Sequence, residues 1–185
     1  MRVVSLPMRL AVTQLSWPLE MRAVAQLGWQ EPPRDLLRKL QRKDDLFVWA
    51  KALPQPGAPT PSAKDMASLL DSARNMQADY LLLFGGATSG GMDSTPPSIL
   101  DITIIGLAIF PTHRVFAEAE MQGALIDTRT GRVVLTVAAS RQQDALATSA
   151  KQQGAAHKLV KNTADKAAQR LGDDLVRQLR ATRRK

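Results

Sequence analysis

No cysteine occurs among the 185 residues, which excludes a disulfide framework, a thiolate metal site and a cysteine nucleophile. Aromatic residues make up only 4% of the chain, so no stacking platform for single-stranded bases is evident and the core falls to Leu, Val, Ile, Ala and Met. His113 and His157 are the only histidines. Neither has carboxylates nearby at metal-ligand spacing, and two histidines with no G-x-S-x-G elbow supply no hydrolase triad. No apolar run reaches the roughly 20 residues of a membrane-spanning helix. The N-terminus shows no charged segment followed by a short apolar core and a small-residue cleavage site, so no signal peptide is read there. No cofactor is expected.

What the chain does contain is 44% hydrophobic residues, enough for one domain, residues 1–185, with a sizeable core. Its formal net charge of +8 suits a polyanionic partner or an anionic surface. The basic residues Arg177, Arg180, Arg183, Arg184 and Lys185 gather at the end of an expected helix. There they complement the helix dipole and form a solvated end, and they are also the candidate contacts for a polyanion.

The clearest local signal is a β-hairpin over residues 114–140. Val115, Ala117, Ala119, Met121, Gly123 and Leu125 alternate with Phe116, Glu118, Glu120, Gln122 and Ala124, the period of a half-buried strand. Asp127, Thr128, Arg129, Thr130 and Gly131 supply turn chemistry, and the return strand is expected over residues 132–139. Glu118 and Glu120 share one face, which reads as the wet side of the sheet.

Upstream, residues 8–15 form a short apolar strand, and residues 21–27 echo it as a candidate antiparallel partner. Pro32 and Pro33 stand where a helix starts, with Leu36, Leu37 and Leu40 on one stripe. Residues 46–53 are the next strand, closed by PQPGAPTPS. Ser62 and Asp65 open a second helix with Met66, Leu69, Leu70, Ala73 and Met76 on its apolar face. The continuous run DYLLLF, residues 79–84, predicts a central strand buried on both faces. Residues 85–113 read as an insert, a Gly/Ser/Thr/Pro-rich loop followed by an apolar segment. A long helix over residues 145–180 closes the chain, with Gly154 and Gly172 as weak points and Asp173 and Asp174 beside Arg170 and Arg177. The order β-α-β-α-β, insert, hairpin, helix predicts an α/β fold: a single mixed sheet, parallel in its core and extended antiparallel by the hairpin, with the C-terminal helix packed on it.

The Gly85 to Thr95 stretch follows a strand and has the composition of a phosphate cradle. It lacks the GK[ST] ending of a P-loop and leads into Pro96-Pro97, so a partner-contacting loop is the reading preferred here. In the apolar segment, Ile99, Leu100, Ile102 and Ile105, together with Leu107, Ile109 and Phe110, are candidate partner or membrane contacts. Its length would serve a membrane β-strand, but its polar alternation fails after Ile104.

Strand DYLLLFGG, the hairpin with its ALIDTRTGRVV core at residues 124–134, and the long closing helix together resemble bacterial envelope lipoproteins. The resemblance covers residues 79–179. It is to relatives of the curli secretion channel subunit, the amino-terminal domain of the Tol–Pal translocation protein, and rhombotarget-type lipoproteins. It implies a non-catalytic, periplasm-facing scaffold or interaction module, tethered to a membrane through a lipidated N-terminal cysteine that lies outside this sequence. Its partners would be other envelope proteins or further copies of itself. The other reading of the residues is a cytosolic nucleic-acid-binding protein that uses the basic C-terminal helix.

Overall fold

The computed structural model describes residues 4–16, 28–54, 63–94, 113–147 and 152–183. Apolar side chains two apart make the strands and those three or four apart make the helices. In chain order they are β1 Met8–Ser16, β2 Gly28–Gln30, α1 Arg34–Gln41, β3 Phe47–Ala52, α2 Ala63–Asn75, β4 Tyr80–Ser94, β5 His113–Asp127, β6 Val133–Ala147 and α3 Gln152–Arg183. The six strands form one mixed sheet in the order β2-β1-β4-β5-β6, with β3 also paired to β1. β1 runs parallel to β3 and β4, whereas β2, β5 and β6 pair antiparallel with their neighbours. The expected fold class, an α/β mixed sheet with a long closing helix, is the one observed.

The two parallel crossovers step in opposite directions across β1, so right-handed connections require their helices to lie on opposite faces. The packing agrees. Leu36 and Leu40 of α1 join Leu10, Val12, Leu82 and Phe84, together with Leu171, Leu175 and Leu179 of α3, in one core. Leu69 and Ala73 of α2 join Ala11, Leu53, Leu81 and Ile126 in the other. β4 therefore contributes alternate residues to two cores, which is why DYLLLF carries no polar face.

The hairpin turn is built as its residues require. Asp127 Oδ1 accepts hydrogen bonds from the N–H groups of Arg129 and Thr130 at 2.9 and 3.0 Å. Gly131 takes a φ of +67°, where any Cβ is strained. Thr128 is buried, its hydroxyl donating to the Ala78 carbonyl at 2.7 Å, which fastens the turn to the start of β4.

Two expectations need correction. The Gly-rich stretch from Gly85 is not a loop as far as Ser94: it is the second half of β4, paired with β5 from Gly85↔Gln122 to Ser94↔His113. The reason is steric. A Cβ at Gly85 would meet the Leu15 carbonyl oxygen at 2.5 Å and one at Gly90 would meet Val160 Cγ2 at 2.7 Å, so glycine here permits close approach within the sheet and against α3. The closing helix begins at Gln152 and not at residue 145, because β6 continues to Ala147 to match the full length of β5. The echo at residues 21–27, the Ser62 cap and residues 95–112 lie outside the described residues, and the antiparallel partner of β1 is Gly28–Gln30.

Candidate interaction surface

The long β4-β5-β6 ladder has two unlike faces. Val115, Ala117, Ala119, Met121 and Leu125 are buried, packed toward α3 as their alternation requires. On the opposite face, among the described residues, α2 covers only the lower end, over Leu81 and Ile126. Beyond α2 the strands present Ala87, Ser89, Glu118, Glu120, Gln122, Thr136, Ala138 and Ser140, all exposed. Where the covered and open parts meet, Leu15, Leu83, Gly85, Gln122, Ala124 and Thr136 line a shallow open groove of about 660 Å³. Small side chains line this face on β4 and β6, and the longer polar Glu118, Glu120 and Gln122 stand on β5 between them.

The edges of this sheet are less open than its face. Ala50 of β3 directs its carbonyl away from β1, since Leu53 N–H bonds to the Val12 carbonyl and strand groups alternate. Gln41 Nε2 of α1 donates to that carbonyl at 2.8 Å. Along β6, Arg170 Nη1 donates to the Ser140 carbonyl at 3.1 Å, Ala138 N–H donates to Asp174 Oδ2 at 3.3 Å, and Gln178 Nε2 donates to the Thr136 carbonyl at 3.1 Å. None of Gln41, Arg170, Asp174 and Gln178 was singled out as an edge contact from the sequence. The four-residue spacing along α3 was the one available signal, and it does not reveal which strand lies beside it.

A second polar cluster ties the lower end of the sheet together. Asp79 accepts from the Arg9 backbone N–H at 2.8 Å and from its guanidinium Nε and Nη2 at 3.2 and 2.8 Å. These bonds hold the Asp79 carboxyl below the usual carboxylate range against a smaller opposing effect of burial, and the same pairing raises Arg9. Arg74 of α2 donates to the Thr128 carbonyl at 2.7 Å, so β1, β4, α2 and the hairpin turn meet here. The arrangement is architectural: its carboxylate takes three hydrogen bonds from one arginine.

Among the candidate polyanion contacts, Arg177 pairs with Asp174 and Arg180 pairs with Asp45 at 3.2 Å. The Arg180 hydrogen bonds hold Asp45 below its ordinary range, partly opposed by burial. Arg183 is exposed on the last turn of α3, and Arg184 lies outside the described residues. Two of these arginines are thus partnered within the molecule, linking α3 to itself and to the turn before β3. Asp173 pairs with Lys39 of α1 at 2.6 Å, so the acidic pair in α3 serves one ion pair between helices and one within α3. Burial raises the Asp165 carboxyl.

His157 is exposed on α3. Among the described residues no three His, Asp or Glu side chains form a group that could hold a metal ion, and no described helix is long and apolar enough to cross a membrane. The phosphate-cradle reading of Gly85 to Thr95 is overturned as far as Ser94, because a strand commits its backbone to neighbouring strands and does not gather N–H groups around an anion. The candidate contacts Ile99, Leu100, Ile102, Ile105, Leu107, Ile109 and Phe110 lie outside the described residues.

No family model matches the chain, and no curated protein matches it. Solved structures do. The C-terminal domain of LpoB from Salmonella enterica is 15% identical over 76% of this chain and 86% of that one, with a TM-score of 0.40. Lipoprotein GNA1162 from Neisseria meningitidis is 12% identical over 84% of this chain and 97% of that one, with a TM-score of 0.40. The PelC dodecamer from Paraburkholderia phytofirmans is 14% identical over 92% of this chain and 91% of that one, with a TM-score of 0.36.

Proposed function

We propose that this chain is a non-catalytic, periplasm-facing domain of a bacterial envelope lipoprotein, held at a membrane by a lipid anchor outside the sequence given. It works as a scaffold or interaction module toward other envelope proteins or further copies of itself. The observation that carries the reading is the open sheet face. Three long strands project past α2 with one face fixed on α3 and the other presenting Glu118, Glu120, Gln122, Thr136 and Ser140 to solvent. Such a face offers area and shape without a converging set of acid, base or nucleophile. The resemblance of the ALIDTRTGRVV hairpin to envelope lipoproteins supports the compartment, and the segment carrying Ile99 to Phe110 remains a proposed contact with a partner or a membrane.

The test is to express the complete native gene with a C-terminal tag, follow incorporation of labelled palmitate, and place a photo-crosslinker at Gln122. Label in the membrane fraction, with crosslinks to an envelope protein or to a second copy, supports the proposal. A cytosolic, unlabelled product that binds nucleic acid with a steep salt dependence, weakened by R183A, would support the nucleic-acid reading instead.

A further inference from the structure

We infer that α3 guards the outer edge of β6 against pairing with the same edge of a second copy of this chain. Among the described residues β6 is the last strand of the sheet, and an edge strand presents a row of unpaired N–H and C=O groups that templates another strand. Its segment VVLTVAAS, residues 133–140, is rich in β-branched residues and carries neither charge nor proline, the composition of a self-pairing strand. Antiparallel pairing of two such edges about Ala138 would close a two-fold dimer. In the folded chain three of that edge's outward groups are already bonded to α3.

The geometry explains how one helix can do this. Arg170, Asp174 and Gln178 stand four residues apart, about 6.0 Å along a helix, while Ser140, Ala138 and Thr136 stand two apart, about 6.6 Å along a strand. Helix and strand run in opposite directions, so the two series meet group for group. The small mismatch grows away from the centre. Accordingly the short, mostly buried Asp174 sits in the middle, where it accepts from the Ala138 N–H, and the longer Arg170 and Gln178 reach the flanking carbonyls at 3.1 Å on either side. Gln41 on the outer carbonyl of β3 is the same device at another edge of the sheet.

The test compares the whole chain with its R170A/D174A/Q178A variant by sedimentation equilibrium and by hydrogen exchange at low and high protein concentration. Self-association should tighten at least roughly tenfold, the scale expected when about three hydrogen-bonding groups are freed for a new partner. The Ala138 amide should exchange faster in the dilute variant and become protected as it associates. Adding A138P removes the central N–H and should return association to the parent level. If the triple variant does not fold, R170A and Q178A separately should move association in the same direction by less. The inference is overturned if folded variants sediment like the parent, or if their association survives A138P, since then another surface is responsible. Because the readout is pairing of one edge, it is independent of whether the open face binds envelope proteins.

Discussion

Replacing Gly86 with alanine should cost this protein about 2–4 kcal/mol. Gly86 pairs with Met121 in the middle of the β4-β5 ladder. A Cβ built there would overlap the Glu120 carbonyl oxygen and lie 2.8 Å from both Glu120 C and Met121 Cα. All three atoms are backbone, so no rotamer change relieves the clash. Reaching the 3.4 Å of ordinary contact moves Met121 Cα by about 0.6 Å, and the carbonyl must move further, which stretches the ladder bonds on both sides. Overpacking of this kind costs about 1–3 kcal/mol, and two weakened bonds add about 1 kcal/mol each. The gain of about 0.5–1 kcal/mol from replacing glycine does not offset this. Urea unfolding measures the difference, with G154A as the control, since nothing lies within 4 Å of a Cβ at that exposed helix position and alanine should stabilise it by about 0.5–1 kcal/mol. A G86A protein as stable as the parent would refute the strand assignment of residues 85–94.

Two further outcomes follow from the local chemistry. Because the Arg9 bonds depress the Asp79 carboxyl in the folded state, their stabilisation is fully present above the unfolded carboxylate value of about 3.9 and is lost as pH falls through the lower folded value. D79N should therefore be less stable than the parent at pH 7, and the gap should narrow in urea titrations taken below pH 4; a gap independent of pH would exclude the ion pair as its source. Gln77 holds a φ of 58° just after α2, with Ala78 N–H bonding to the Ala73 carbonyl and Gln77 N–H to that of Arg74, the helix-ending arrangement that favours glycine. Relief of about 1–2 kcal/mol of left-handed strain, less about 0.5–1 kcal/mol of extra backbone entropy lost by glycine, should raise the stability of Q77G by about 0.5–1 kcal/mol, measured as a higher urea midpoint at constant m.

Much of the fold was legible because it is local. The alternation from Val115 to Leu125 assigns one face to the core whatever lies beneath it, and those residues are buried. Asp127 and Gly131 specify the turn within five residues. The stripes at Leu36 and Leu40, at Leu69 and Ala73, and at Leu171, Leu175 and Leu179 each meet a core. What failed to read through was glycine. In sequence it signals a loop, yet at Gly85, Gly86 and Gly90 it marks close approach to Leu15, to Glu120 and to Val160. Local preference cannot separate those meanings when the neighbour lies 30 or more residues away.

The sequence by itself therefore determined the strands and helices, their buried faces and the hairpin turn, since each depends on periodicity or on bonds spanning a few residues. Only the tertiary structure decided which edges of the sheet stay available. Asp174 reaches Ala138 across 36 residues and Gln178 reaches Thr136 across 42, and nothing in the spacing of either segment names the other. The edge is closed because a four-residue helical step and a two-residue strand step are nearly equal in length, a match that acts only once α3 has been laid along β6 by its leucine core.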